Sequence, residues 1–206
     1  ASRIRKDPAY QMAVALTGFN TTDIQPGLRK LQLTLDSLQR IYMKAQMEME
    51  PDRLFYPDAN STLRITYGKV DDYHPRDAVH YLHFTTLDGI MEKEDPAILD
   101  YEVHPRLKEL WKSSDYGRYA AKDGKMHIAF TGTNHTTGGN SGSPVLNADG
   151  HLIGLNFDRN WEGTMSDIMY DPDMCRNITL DIRYCLFVID KFAGAGHLIR
   201  EMTLIE

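Results

Sequence analysis

The sequence predicts a mainly β domain with added helices, in which a long helix comes first, short strands joined by turns follow, and a helix lies near the C-terminus. Three observations carry this. Leu28, Leu31, Leu35, Leu38, Tyr42, Ala45 and Met49 recur at steps of three and four, with Arg29, Lys30, Asp36, Arg40, Lys44 and Glu48 on the other faces, as one apolar stripe of a helix requires. From Phe55 the period changes to two, as in Leu63, Ile65 and Tyr67 and again in Met126, Ile128 and Phe130, the mark of half-buried strands. Beyond Arg183, Leu186-Phe187-Val188-Ile189 and Phe192 run into Gly194-Ala195-Gly196, a helix closed by glycine. Two regions result, a helical segment over residues 1–54 and a strand-rich one over 55–206.

Taken in order, Asn20-Thr21-Thr22-Asp23 is expected as a loop, Pro26-Gly27 as the start of the long helix and Pro51 as its end. Met43, Met47 and Met49 on that helix suit packing against a neighbouring helix better than an adaptable ligand groove. Residues 88–100, charged and interrupted by Pro96, are expected as a long surface loop, and 105–113 as a short helix. Val145-Leu146, a turn at Asn147-Ala148-Asp149-Gly150 and Leu152-Ile153-Gly154-Leu155 form a hairpin pattern. Ile178, Leu180 and Ile182 suggest one further strand, and Leu198, Ile199 and Met202 a short amphipathic turn.

Composition narrows the function. With 206 residues, 42% of them apolar, the chain can bury a sizeable core. Asp and Glu (29) outnumber Lys and Arg (23) and no basic stripe appears, which argues against a nucleic-acid surface. No stretch approaches the ~20 apolar residues that span a bilayer. Cys175 and Cys185 have no metal-type spacing and suit a core thiol and a loop thiol better than a disulfide. Asp71-Asp72, Asp171 and Asp173 fit no calcium loop, and the four Asn-Xaa-Ser/Thr triplets matter only in a eukaryotic secretory pathway. No metal or other cofactor is expected.

The stretch that points to chemistry is Thr136-Thr137-Gly138-Gly139-Asn140-Ser141-Gly142-Ser143-Pro144-Val145. A serine attacks a carbonyl only from a tight turn where backbone N–H groups converge on the developing oxyanion. Gly138 and Gly139 can take φ > 0 and let a substrate approach the main chain, and Pro144 hands the chain to an apolar run. An ordinary Gly/Ser/Asn turn between strands has the same residues. No base is obvious. His127 falls in a strand, and His135, six residues before Ser141, is the weak candidate among eight histidines.

Gly139-Asn140-Ser141-Gly142-Ser143-Pro144 resembles the nucleophile loop of trypsin-like serine peptidases, in a form shared by bacterial glutamyl endopeptidases. The surrounding sequence resembles instead the bacterial dipeptidyl-peptidase 7/11 family, closest to type 11, in Thr133-Asn134-His135-Thr136-Thr137 and in residues 156–162, Asn-Phe-Asp-Arg-Asn-Trp-Glu. The match extends to residues 56–64 (Tyr-Pro-Asp-Ala-Asn-Ser-Thr-Leu-Arg), 84–89 (Phe-Thr-Thr-Leu-Asp-Gly) and Asp181-Ile182-Arg183-Tyr184. It runs from about Pro26 to the C-terminus. The resemblance implies that residues 55–206 are the C-terminal β-barrel of a trypsin-like double barrel with its terminal helix, and that residues 1–54 end a helical domain. It implies a serine exopeptidase that releases dipeptides from peptide N-termini after Asp or Glu. Ser141 would be the nucleophile, the N–H groups of Gly139 and Ser141 the oxyanion hole, Asp158 part of the anchor for the substrate amine, and Arg159 the reader of the acidic side chain. The type preferring acidic side chains has arginine at this position, and the type preferring apolar ones glycine. An unpaired Arg159 would also reject neutral side chains, whereas a surface pair of Arg159 with Asp158 or Glu162 would mean nothing for specificity. The catalytic His and Asp are expected in an N-terminal portion missing from this chain, which would then be inactive alone. Partners implied are peptide substrates, that missing portion and a homodimer of the full-length enzyme, at the periplasm or surface of a Gram-negative bacterium. The alternatives are a glutamyl endopeptidase and a peptide-binding module that has lost catalysis.

Overall fold

In a computed structural model of the chain, residues 3–53, 55 and 60–205 are described. The chain divides into two compact units, Ala1–Asn60 and Ser61–Glu206.

The first unit is helical. Asp7 caps helix α1 (Pro8–Phe19), its side chain accepting from Ala9 N at 2.8 Å and Tyr10 N at 3.1 Å, with Pro8 at the first helical position where its missing N–H costs nothing. This helix escapes the apolar periodicity, yet Asp7-Pro8 is its start signal. The loop expected at 20–23 is absent. Asn20–Ile24 form a wider π-type turn that leads straight into α2 (Gln25–Met49), so Pro26 and Gly27 sit inside a continuous helical path. A π turn already interrupts the regular hydrogen-bond register, and a proline is tolerated just beyond such a break. The helix ends at Met49, before Pro51, as expected. Its stripe is exposed, with Leu31 at 61%.

The second unit is built on a five-stranded antiparallel sheet. Strands β3 (Phe84–Thr86), β4 (His127–Gly132), β5 (Pro144–Leu146), β6 (Leu152–Arg159) and β7 (Asn177–Asp181) lie in the order β3-β4-β7-β6-β5. A separate hairpin pairs β1 (Tyr73–Arg76) with β2 (Val79–Tyr81). Among the described residues the strands form an open sheet rather than a closed barrel. The expected β5–β6 hairpin and the β4 and β7 strands are present.

The period-two segment at 63–67 is not a strand. Leu63, Ile65 and Tyr67 are 82–90% exposed, and alternation without a neighbouring strand to pair with does not make a sheet. The expected loop at 88–100 instead holds helix α3 (Leu87–Glu92) and a 3-10 turn at Leu99–Tyr101. Leu87, only 1% exposed, anchors α3 in the core together with Leu110, Tyr116, Tyr119, Met126 and Phe187. Leu110 comes from α4 (Pro105–Ser113) and Phe187 from α5 (Ile182–Phe187), which continues as a π-type turn to Phe192 and is followed by α6 (Gly196–Ile199). The β7–α5 junction explains Asp181-Ile182-Arg183. The Asp181 carboxylate caps α5 through Arg183 N at 2.9 Å and also holds the Arg183 guanidinium, Oδ1 accepting from Nε at 2.9 Å. Residues 56–59, part of the resemblance, lie outside the described residues. Both cysteines are free, Cys175 buried and Cys185 partly so.

Gly154 lets β6 and β7 meet closely, since a Cβ there would run into the Thr179 side chain and the Leu180 carbonyl. Overpacking of this kind costs about 1–3 kcal/mol. Gly154→Ala should therefore lower the chemical-denaturation midpoint by an amount equivalent to about 2 kcal/mol with an unchanged m-value, and an unshifted midpoint would show that the two strands can part without cost.

Candidate active site

The loop from Thr136 to Pro144 is tied to β6 by a run of backbone bonds centred on Asn156. Gly142 N donates to Asn156 O at 2.7 Å, Asn156 N donates to Ser143 O at 2.9 Å, and the Asn156 side chain donates to Asn140 O at 3.1 Å. Asn156 is itself held from behind by Asn177 Nδ2 at 2.8 Å. Asn140 closes the turn from inside, its side chain accepting from Thr137 N at 3.0 Å while its own N–H donates to Thr137 O at 3.1 Å. Positive φ occurs at Gly139 (+97°) and Gly142 (+84°), flanking Asn140-Ser141, and not at Gly138. These are angles that L side chains rarely adopt.

The bonds leave the amides on either side of Asn140 uncommitted, along with that of Gly138. N–H groups of Asn140, Gly142 and Ser143 are used within the loop or to β6, whereas among the described residues those of Gly139 and Ser141 donate to no protein acceptor. Ser141 is exposed, and its Oγ donates to Phe157 O at 3.2 Å. That carbonyl is available because β6 carries a bulge there. Asn156 pairs with Thr179 and Asp158 with Ile178, so Phe157 is the extra residue without a partner across the strand.

Immediately beyond the bulge come Asp158 and Arg159. Asp158 is exposed and accepts from Arg159 N at 2.8 Å. Arg159 does not stand unpaired, and its partner is neither Asp158 nor Glu162. Its guanidinium forms a two-pronged ion pair with Asp167, Nη1 to Oδ1 at 2.8 Å and Nη2 to Oδ2 at 2.7 Å, and Nη1 also donates to Ser166 Oγ and to Thr136 O at 3.5 Å. Glu162 instead accepts from Tyr73 Oη at 3.0 Å and Asn160 Nδ2 at 3.2 Å. Hydrogen bonds from Arg159 and then Thr137 hold the Asp167 carboxyl far below the ordinary carboxylate range. Ser166 and Asp167 end the 3-10 segment Trp161–Asp167, and Arg159 lines a small pocket together with Thr136, His135, Ser166, Tyr170 and Asn177 among others.

His135 belongs to that pocket. Its ring lies 4.7 Å from that of Tyr170, and among the described residues Ser141 Oγ bonds to no histidine. Asp71, Asp72, Asp171 and Asp173 form no cation site, and no group of three or more His, Cys, Asp or Glu among the described residues could hold a metal. Sequence reading missed Asp167, Ser166 and Asn156 as parts of the site, because an ion pair eight residues apart and a side chain reaching a carbonyl sixteen residues away leave no periodic or motif signal.

The comparisons agree on one family. The peptidase S46 family model matches residues 1–204, and the chain belongs to that family. It is 53% identical over 204 residues to an Asp/Glu-specific dipeptidyl-peptidase of Flavobacterium psychrophilum, covering 99% of this chain and 28% of that protein. It is 54% identical over 205 residues to the Asp/Glu-specific dipeptidyl-peptidase of Capnocytophaga gingivalis, covering 99% and 29%, and 51% identical over 172 residues to dipeptidyl-peptidase 7 of Phocaeicola vulgatus, covering 84% and 24%. The crystal structure of Porphyromonas endodontalis DPP11 in complex with substrate superposes with a TM-score of 0.84 at 46% identity, over 97% of this chain and 30% of that one. The chain thus spans well under a third of the length of these relatives. No helix among the described residues is long and apolar enough to cross a membrane.

Burial, the largest influence, pushes His135 below the ordinary histidine value of 6.5, with Asp167 opposing and Arg159 adding to the shift. A histidine that resists its proton only when folded costs stability once the unfolded chain takes that proton, so stability should fall as pH drops through about 6.5. An NMR titration of the His135 ring should give a midpoint below 6.5, and one above that value would contradict this environment.

Proposed function

We propose that this chain supplies the nucleophile and the specificity residues of a serine dipeptidyl-peptidase that releases dipeptides from peptide N-termini after Asp or Glu. The observation that carries it is the pairing of an exposed Ser141, in a loop whose Gly139 and Ser141 amides are uncommitted, with a β6 end that presents Asp158 and Arg159. The names of the relatives, two of them Asp/Glu-specific dipeptidyl-peptidases, point the same way.

On this reading Ser141 Oγ attacks the scissile carbonyl, and the N–H groups of Gly139 and Ser141 hold the oxyanion. The bond from Oγ to Phe157 O fixes the resting serine and must be exchanged for one to a base. That base and its orienting carboxylate come from residues of the full-length polypeptide outside this chain. Asp158 takes the positively charged substrate amine, the feature that makes the enzyme an exopeptidase. Arg159 takes the acidic side chain before the cleaved bond. Its guanidinium is preorganised by Asp167, Ser166 and Thr136, so little orientational freedom is lost when a carboxylate binds. The five-stranded sheet, open by itself, then contributes to the C-terminal barrel of a trypsin-like peptidase domain, and residues 1–54 serve as the end of a helical domain. The enzyme acts in the periplasm or at the cell surface, as a homodimer.

The test uses a polypeptide of full family length carrying this sequence. Ser141→Ala should abolish both turnover and labelling by a fluorophosphonate. Arg159→Gly should cut kcat/KM on Xaa-Asp and Xaa-Glu substrates about ten- to a hundredfold, the scale of one charge-assisted hydrogen bond, and raise it on apolar ones. Asp158→Ala should weaken every dipeptidyl substrate alike, because all share the amine. Undiminished cleavage of amine-blocked peptides would identify an endopeptidase instead.

A further inference from the structure

A guanidinium offers a carboxylate two edges with paired N–H groups, the terminal edge of Nη1 and Nη2 and the side edge of Nε and Nη2. In Arg159 the terminal edge is taken by Asp167, at 2.8 and 2.7 Å. Ser166 Oγ and Thr136 O restrain Nη1 further. Among the described residues no acceptor meets Nε, so the side edge is the one left to a ligand.

Resting on the reading of Arg159 given above, we propose that Asp167 is a positioning residue for specificity, holding the terminal edge of Arg159 so that the side edge is presented to the acidic side chain of the substrate. A fork fixed at one end has a single orientation in which both N–H groups of the other edge can meet a carboxylate, and that geometric demand rejects side chains with fewer acceptors. Asp167 also neutralises the arginine locally. Discrimination then comes from the paired N–H geometry more than from net charge, and a neutral side chain cannot satisfy it.

An exposed ion pair of no consequence would look different. Here one guanidinium is restrained by three separate residues, its side chain is only 24% exposed, and Asp167 also bonds to Thr137, at the start of the nucleophile loop. Reader and restraint therefore form one unit beside the loop.

Steady-state kinetics on the full-length polypeptide test this with Asp167→Asn, Asp167→Glu and Arg159→Gly, on substrates with Asp, Glu or Leu second. Asp167→Asn should raise KM for the acidic substrates about tenfold, the scale of one ordered charge-assisted bond. It should leave kcat and the Leu substrate within about twofold of the parent, well inside that scale. Asp167→Glu should recover part of the loss. A fall in KM for acidic substrates would overturn the proposal, because Asp167 would then be competing with the substrate for Arg159. So would unchanged constants, or an equal loss on all three substrates, which would make Asp167 a brace of the nucleophile loop through Thr137. Should Asp167→Asn not fold, Ser166→Ala removes another restraint on Nη1, and a KM rise confined to acidic substrates supports the proposal while no rise overturns it. Retention of acidic preference in Arg159→Gly would instead defeat the reading of Arg159 itself, independently of any Asp167 variant.

Discussion

The site depends on one extra residue in β6. Without the bulge at Phe157, strict alternation would continue past Asn156, and the Phe157 carbonyl would be committed to the ladder with β7. With it, residues 157 and 158 are both exposed, the Phe157 carbonyl is released to Ser141 Oγ, and the chain is turned before Asp158 and Arg159. The preceding residue, Asn156, holds the nucleophile loop by its N–H, its carbonyl and its side chain at once. A single strand therefore fixes the serine and, within three residues, the groups proposed to recognise what the serine cuts.

Arg159 has two tasks in this arrangement. It is proposed to meet the substrate, yet it also donates to Thr136 O and shares Asp167 with Thr137, so it ties the start of the nucleophile loop to the Trp161–Asp167 segment. Hydrogen bonds from Arg159 and Thr137 favour the charged form of Asp167, so this contribution to stability is full above the ordinary carboxylate range and declines as pH falls below that range toward the lowered value of the folded carboxyl. His135 behaves in the opposite sense, because its burial works against the charged form.

Much of this was legible in residue order. Glycines on both sides of Ser141 announced a turn of unusual backbone, and the structure places positive φ at Gly139 and Gly142. The hairpin after Ser141, the helix at 105–113 and the end of the long helix before Pro51 follow from turn residues and prolines that act locally. What stayed hidden depends on partners. Leu63, Ile65 and Tyr67 alternate like a strand, but a strand needs a neighbour. Leu87 begins a helix inside a charged stretch because its side chain is buried with Phe187, one hundred residues away in sequence. Asp167 carries no signal in residue order, because only folding brings it back onto Arg159. Residues 20–27 misled for another reason, since proline and glycine mark helix ends only where the hydrogen-bond register is regular, and a π turn removes that condition.

The central claim is that Asp158 and Arg159, just past the bulge, together read a free amine and an acidic side chain beside Ser141. The most direct test is a crystal structure of the full-length polypeptide with a product dipeptide ending in glutamate. The claim predicts the glutamate side-chain carboxylate within about 3 Å of the Arg159 guanidinium, the amine at a similar distance from the Asp158 carboxylate, and the new C-terminal carboxylate near Ser141 Oγ. A dipeptide whose glutamate side chain points away from Arg159, or whose amine is held by other groups while Asp158 stays in solvent, would contradict it.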